Sequence, residues 1–168
     1  MRDMEEKFII TDAGPEHYGD ILAINERLVR FLAPMDMPLL EEMAAMSALI
    51  KVAVADGRVA AFLLCFREGT EYQSVNYKWF SSRYDKFLYV DRVVVLEEYQ
   101  DMGIGRAFYE LVKDQARAAG AERVTAEIDI LPANPKSLRF HKAFGFQEVG
   151  TQLVADGKKQ VSLQCLEL

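Results

Sequence analysis

Tyr99-Gln-Asp-Met-Gly103-Ile-Gly105-Arg106-Ala107 is the stretch with the strongest chemical content in the chain. It follows a β-rich run, Phe87–Val95, and precedes an apolar-periodic run that begins near Gly105. A strand feeding a glycine turn feeding a helix is a device for holding anions. The turn and the first helical turn leave backbone N–H groups unpaired, and the helix dipole adds about half a positive charge there. Glycine permits positive φ and lets a ligand approach the backbone. The stretch therefore reads as a phosphate cradle, although an ordinary glycine loop before a helix fits the local pattern equally well. It lacks the Lys-Ser/Thr ending of a P-loop, and the third glycine position of a dinucleotide fingerprint is Phe108. A second group is acidic. From Arg123 to Ile130, Thr125, Glu127 and Asp129 alternate with Val124, Ala126, Ile128 and Ile130, which sets two carboxylates on one face of a strand.

The elements that must position these groups follow from periodicity and turn chemistry. Lys7–Thr11 reads as a first strand, broken at Asp12-Ala-Gly-Pro15. Ile21, Leu22, Ile24, Leu28, Val29 and Leu32 then follow helical spacing. A two-proline connector, Ala33–Pro38, leads to a second helix from Leu39 to near Ser47. Ile50–Ala55 and Arg58–Phe66, joined by Asp56-Gly57, form a hairpin with a type I′ turn. Glu68–Lys86 carries Tyr72, Tyr77, Trp79, Phe80 and Tyr84 among polar residues, and reads as a long ordered loop: a lid or binding loop, or a cover for the sheet edge or a dimer contact. After the glycine turn, Ala107, Leu111, Val112 and Ala116 continue a helix that Gly120 stops. Asn134-Pro135 fits an N-cap and first helical residue, and that helix ends at Gly145. Phe146–Val154 and Lys158–Leu166 make a final hairpin around Asp156-Gly157. The order is β-α-α-β-β-loop-β-α-β-α-β-β. Hairpins beside strand–helix–strand units imply an α/β class protein with a mixed sheet and helices on both faces.

The composition sets outer bounds. With 168 residues, the chain suits one domain, residues 1–168, and can bury a core without a disulfide or metal staple. A formal net charge of −6 argues against nucleic acid as the main partner and mildly favours a cationic substrate such as an amine. Cys65 and Cys165 lie in apolar runs and read as small buried hydrophobes of a reducing compartment; neither has metal-ligand spacing. MRDMEEKFII has no apolar leader, and no run approaches the ~18 apolar residues of a membrane span, so a cytoplasmic protein without a membrane partner is expected.

Two segments resemble the GNAT superfamily of N-acetyltransferases. Val93-Val-Val95 followed by Gln100-Asp-Met-Gly103-Ile-Gly105-Arg106-Ala107 is similar to that family's Gln/Arg-x-x-Gly-x-Gly/Ala pyrophosphate loop and its distance from the preceding strand. Asn134-Pro-Lys-Ser137-Leu-Arg-Phe140-His141-Lys-Ala-Phe144-Gly145-Phe146 is similar to its Asn-x-x-Ser/Ala-x-x-Phe/Leu-Tyr/His-x-x-x-Gly-Phe segment. The resemblance is close over residues 87–150, and by element order alone in the N-terminal third. It implies a GNAT-like acyl-CoA N-acyltransferase fold of about seven strands flanked by four helices.

It also implies acetyl-CoA as co-substrate. Backbone groups of Val93, Val94 and Val95 would pair with the pantetheine arm as an added strand. The N–H groups of Gln100, Asp101, Met102, Gly103, Ile104, Gly105 and Arg106 would hold the pyrophosphate. Asn134 and Ser137 would contact the pantetheine or thiol end, Phe140 would line the channel, and the basic residues Lys136, Arg139 and Lys142 are candidates for the adenosine 3′-phosphate or a solvated helix face. The implied reaction is direct acetyl transfer to a primary amine of a small molecule or peptide. His141 stands where many members have the tyrosine assigned as thiol acid, and histidine can donate a proton near neutral pH. Glu127 is the first candidate for the base, followed by Asp129, Asp91, Glu26 or a water chain. An acyl-CoA-binding or regulatory domain without catalysis, and an enzyme using longer acyl groups, are the competing readings. A homodimer through the final hairpin or the aromatic loop is compatible with the sequence.

Overall fold

The computed structural model describes residues 7–29 and 32–168; the reading of the first six residues lies outside them. Among the described residues, seven strands form one mixed sheet in the order β1-β2-β3-β4-β5-β7-β6. Five α-helices and two 3-10 turns among these residues accompany it, against the four helices expected. The chain divides into two compact units, one built from the chain up to Cys65 with Arg92–Leu111, the other from Phe66–Asp91 with Val112–Leu168. Among the described residues no helix is long and apolar enough to cross a membrane.

In the first unit, β1 (Ile9–Asp12) pairs antiparallel with β2 (Leu49–Ala55), which pairs antiparallel with β3 (Arg58–Arg67). The hairpin turn has φ of 53° at Asp56 and 71° at Gly57, the two positive values a type I′ turn needs. Helix α1 (Tyr18–Arg27) follows a 3-10 turn that starts at Pro15. It ends at Arg27, short of Val29 and Leu32, because Leu28 leaves helical geometry at φ −119°, ψ 21°. Helix α2 (Met37–Met46) is capped by Asp36, whose carboxylate accepts from the Leu39 N–H at 3.0 Å. Ile21, Ile24, Leu40, Val52, Phe62 and Val94 form the core here. Buried Arg92 donates to Asn25 Oδ1 at 2.7 Å and to the Ala33 carbonyl at 2.8 Å, which ties the end of α1 and its connector to the strand.

In the second unit, β4 (Phe87–Val95) pairs in parallel with β5 (Arg123–Leu131) from Phe87↔Arg123 to Val90↔Ala126. β5 runs antiparallel to β7 (Lys159–Glu167), and β7 to β6 (Gln147–Val154). The aromatic segment expected as a loop contains a helix, α3 (Val75–Ser81), whose cap Ser74 accepts from the Tyr77 N–H at 3.3 Å. Its aromatics turn inward: Tyr77 and Phe80 are buried, and the Tyr77 hydroxyl donates to the Arg67 carbonyl at 2.7 Å. Tyr77 also packs against Phe87 and Tyr89 at ring separations of 5.8 and 5.6 Å. Short helices of this kind escape a periodicity reading because seven residues span under two turns. Helix α4 (Ile104–Ala118) begins after Gly103, and α5 (Pro135–Phe144) is capped by Asn134 and closed by Gly145 at φ 114°.

Gly150 of β6 accommodates α3. A Cβ built on it would lie 2.7 Å from Trp79 Cζ2, and the indole is held in place by the Arg83 guanidinium 3.7 Å over its ring. Gly150→Ala is expected to destabilise the protein by about 1–2 kcal/mol through overpacking. The same change in a Trp79→Ala background is expected to cost a few tenths of that, since the clash is gone. Urea denaturation of the four proteins measures the coupling.

Candidate active site

The glycine stretch lies in the first unit and has the geometry of an anion cradle. Glu97–Met102 forms a 3-10 turn, and Gly103 takes φ 84°, ψ 14°, which hands the chain to α4 at Ile104. A Cβ at Gly103 would meet nothing within 4 Å, so the glycine serves the left-handed backbone rather than space. Ile104 is fully buried and roots the helix start, while Gln100, Asp101, Gly103 and Arg106 are exposed. Gln100 Nε2 donates to the Val95 carbonyl at 3.2 Å, which ties the turn to the end of β4. The first-turn N–H groups of α4 have no partner within the helix, and its dipole favours an anion there. Val93 and Val95 are partly exposed, whereas Val94 is buried in the core of this unit.

The second unit holds the acidic group. The β4–β5 ladder ends at Val90↔Ala126, so Asp91 and Glu127 are the first residues beyond the last pair on each strand. Tyr89 shares the face of Asp91, and its hydroxyl donates to Glu127 Oε2 at 2.6 Å. Tyr72 donates to Asp91 Oδ1, also at 2.6 Å. Asn76 Oδ1 of α3 accepts from Gln152 Nε2 of β6 at 3.1 Å. Burial pushes the Glu127 carboxyl up to about 8, and the negative charge of Asp91 adds to it; the hydrogen bond from Tyr89 opposes the rise without cancelling it. Burial also holds the Tyr89 phenol well above its ordinary value, with the charges of Glu127 and Asp91 acting the same way, so it stays a donor. The salt bridges among the described residues do not include Glu127. Asp129, two residues on, is paired with Lys159 at 3.4 Å. Burial raises its carboxyl and the lysine opposes the rise. Glu26 sits on the exposed side of α1.

Helix α5 carries the remaining candidates. Asn134 Oδ1 accepts from the Ser137 N–H at 3.4 Å as the helix cap, so its side-chain oxygen already serves α5. His141 is buried, with Nδ1 2.7 Å from the Ser137 carbonyl and 3.3 Å from Ser137 Oγ. Only a protonated Nδ1 makes the first contact, which leaves Nε2 as the acceptor nitrogen of the neutral ring. Burial lowers the His141 pKa, and the bond to the Ser137 carbonyl partly offsets this. Phe140 and Phe146 pack edge-on against the imidazole at 5.6 and 5.2 Å. Lys136, Arg139 and Lys142 are exposed on the same helix.

Of the sequence candidates, Glu127 and Asp91 come together, and Asp129 is drawn into an ion pair. Sequence reasoning missed Tyr89, Asn76 and Gln152. Tyr89 had a signal: with β4 and β5 parallel, alternation sets Tyr89 and Asp91 on the face that carries Thr125 and Glu127. Asn76 and Gln152 had none, since they meet across 76 positions of chain.

The model of the "Acetyltransferase (GNAT) family" matches residues 20–146. No curated protein matches the chain. Among solved structures, the fold is similar to Ard1 from Thermoplasma volcanium (TM-score 0.78, 14% identity, 96% of this chain and 98% of that one). It is similar to Naa20 from Chaetomium thermophilum in complex with a bisubstrate analogue (TM-score 0.76, 20% identity, 95% and 86%). It is also similar to yncA, a putative acetyltransferase from Salmonella typhimurium with its cofactor acetyl-CoA (TM-score 0.70, 20% identity, 96% and 94%).

Glu127 links proton binding to stability. Its folded value of about 8 stands above the unfolded value of 4.5, so its contribution is full below pH 4.5 and is lost as pH rises through 8. Glu127→Gln removes this loss. The wild type is expected to lose more unfolding free energy than the variant between pH 5 and pH 9, as read by urea denaturation at both values.

Proposed function

The chain belongs to the GNAT acetyltransferase family, and from that premise we propose that it moves an acetyl group from acetyl-CoA directly to a primary amine. We read residues 1–168 as one acetyltransferase domain that takes acetyl-CoA and a small amine or peptide amine. The observation that carries this reading is Glu127: a carboxyl at the end of the β4–β5 ladder, held near 8, with the Tyr89 hydroxyl as its hydrogen-bond donor. A general base works best when its pKa lies near the operating pH.

The cradle residues fit the co-substrate. The backbone from Gln100 through Asp101, Met102, Gly103, Ile104, Gly105 and Arg106 offers donors to a pyrophosphate at a helix start. Val93, Val94 and Val95 would take the pantetheine arm along β4. Asn134 and Ser137 are assigned to the pantetheine or thiol end and Phe140 to the channel lining, with the Asn134 side-chain oxygen also capping α5.

The acceptor arrives as an ammonium ion, and the charge of Asp91 favours its approach. A cation beside Glu127 lowers the carboxyl pKa and so prepares the base when the substrate binds. Glu127 takes the ammonium proton. The amine lone pair attacks the thioester carbonyl, a C–N bond forms, the nitrogen gives its second proton to solvent, and the C–S bond breaks to release CoA thiolate. His141 is assigned to protonate that sulfur, a task only its imidazolium form performs, and burial makes this form scarce at neutral pH. Its contribution is therefore expected to be smaller than that of Glu127.

Acetyl transfer to a panel of primary amines, followed by release of CoA thiol, tests the proposal. For an accepted amine, kcat/KM of the wild type is expected to rise through an inflection near pH 8 that Glu127→Gln abolishes, with a loss of about 100-fold or more at the plateau. An unchanged profile in Glu127→Gln removes it from the base role. Tight acetyl-CoA binding without turnover of any amine supports the binding-module reading instead. His141→Asn is expected to lower kcat by about tenfold or less; a loss exceeding that of Glu127→Gln overturns the ranking of the two residues.

A further inference from the structure

The turn that leads into the phosphate cradle has little packing to hold it. Glu97–Met102 buries no side chain, so its ties are polar. Just ahead of it, the Leu96 N–H donates to the Ala60 carbonyl of β3 at 2.9 Å. From the other side Arg27, the last residue of α1, grips Glu98: Nη1 donates to Oε1 at 3.1 Å and Nη2 to Oε2 at 3.2 Å. Two parallel bonds from one guanidinium to one carboxylate are the strong, directional form of an ion pair. The two side chains are 54% and 51% exposed, so solvent screens the pair and it adds little to folding. Its place beside the cradle gives it another use.

Charge in this turn runs against its task. Glu97, Glu98 and Asp101 stand in the turn itself, with Arg106 as the cation that follows. A pyrophosphate brings further negative charge, and the N–H groups and dipole of α4 must hold it beside these carboxylates. Glu98 lies two residues before Gln100. At about 2 Å of rise per residue in a 3-10 turn, that is about 4 Å. The Debye length is about 8 Å at physiological salt, so an uncompensated charge at Glu98 would repel the ligand. The Arg27 guanidinium offsets that charge and draws the carboxylate against α1.

We propose that Arg27 is a positioning residue for the cofactor cradle: it masks Glu98, so that the backbone from Gln100 to Arg106 receives a pyrophosphate without a like charge beside it. The inference rests on the assignment of that backbone to the pyrophosphate of acetyl-CoA. Arg58 lines the same cleft as Arg27 and Glu98, but among the described residues no hydrogen bond or ion pair joins it to Glu98. It supplies the control for charge without contact.

Calorimetric titration of the full chain with acetyl-CoA at about 0.1 M salt tests this without need of an acceptor. Arg27→Gln is expected to weaken binding about threefold to fivefold. That loss is expected to fall below about twofold at about 1 M salt. Glu98→Gln is expected to bind at least as tightly as the wild type. The double variant is expected within about twofold of the wild type, because no charge is left to mask. Arg58→Gln is expected to change the constant by less than about twofold. Gly103→Val forces a β-branched residue into positive φ, distorts the cradle itself and is expected to cost about tenfold. If Gly103→Val weakens acetyl-CoA and Arg27→Gln does not, the cradle assignment stands and the masking role is overturned. A loss in Arg27→Gln that persists in the Glu98→Gln background overturns it as well, since Arg27 then acts on the ligand directly. So does a loss in Arg58→Gln as large as that in Arg27→Gln. If Gly103→Val binds acetyl-CoA as the wild type does, the cradle assignment itself fails and the masking role falls with it.

Discussion

The parallel pairing of β4 and β5 stops at Val90↔Ala126, and the chemistry of the second unit depends on that stop. Past it, two carboxyl residues follow on neighbouring strands, Asp91 and Glu127. Two adjacent anions in a protein interior repel, and one of them keeps its proton unless a cation arrives. Burial decides that it is Glu127 which stays protonated, since desolvation is the largest influence on it. The tyrosines share out the load: Tyr72 serves Asp91 and Tyr89 serves Glu127, each through a 2.6 Å bond.

Asp129 supplies the contrast. It shares a face with Glu127 and carries the same kind of group, yet Lys159 meets it from the neighbouring β7 strand. One carboxylate is thereby compensated by a cross-strand lysine, and the other takes part in no salt bridge among the described residues. Charge patterning in the strand alone makes the two equivalent; the cross-strand neighbour separates them.

Much of this architecture was legible from residues. The Asp56-Gly57 hairpin, the Gly103 turn into α4 and the Asn134-Pro135 start of α5 are local, each dictated by backbone chemistry within a few residues. The acidic face of β5 was visible through alternation. Helix α3 was not, because its seven residues are too few to show a period and its aromatics resemble those of a loop. The neighbours of Glu127 were hidden for a different reason. Tyr89 reaches Glu127 from the neighbouring strand, while Asn76 of a short helix and Gln152 of the final hairpin meet each other, and only the folded sheet makes either contact. Asn134 shows the reverse case. Its place in a motif suggested a ligand contact, while its side-chain oxygen caps α5, so one residue type in one pattern answers to both demands.

If Glu127 takes the proton of the attacking amine, its distance from the bound thioester must allow it. A crystal structure with acetyl-CoA bound provides that distance. A Glu127 carboxylate oxygen is expected within about 6 Å of the acetyl carbonyl carbon, the sum of a near-attack contact of about 3 Å and a hydrogen bond of about 3 Å, with open space for a nitrogen between them. An acetyl group about 10 Å or more away, or one separated from Glu127 by the ring of Tyr89, contradicts it, since the base must lie within hydrogen-bond reach or one water of the amine.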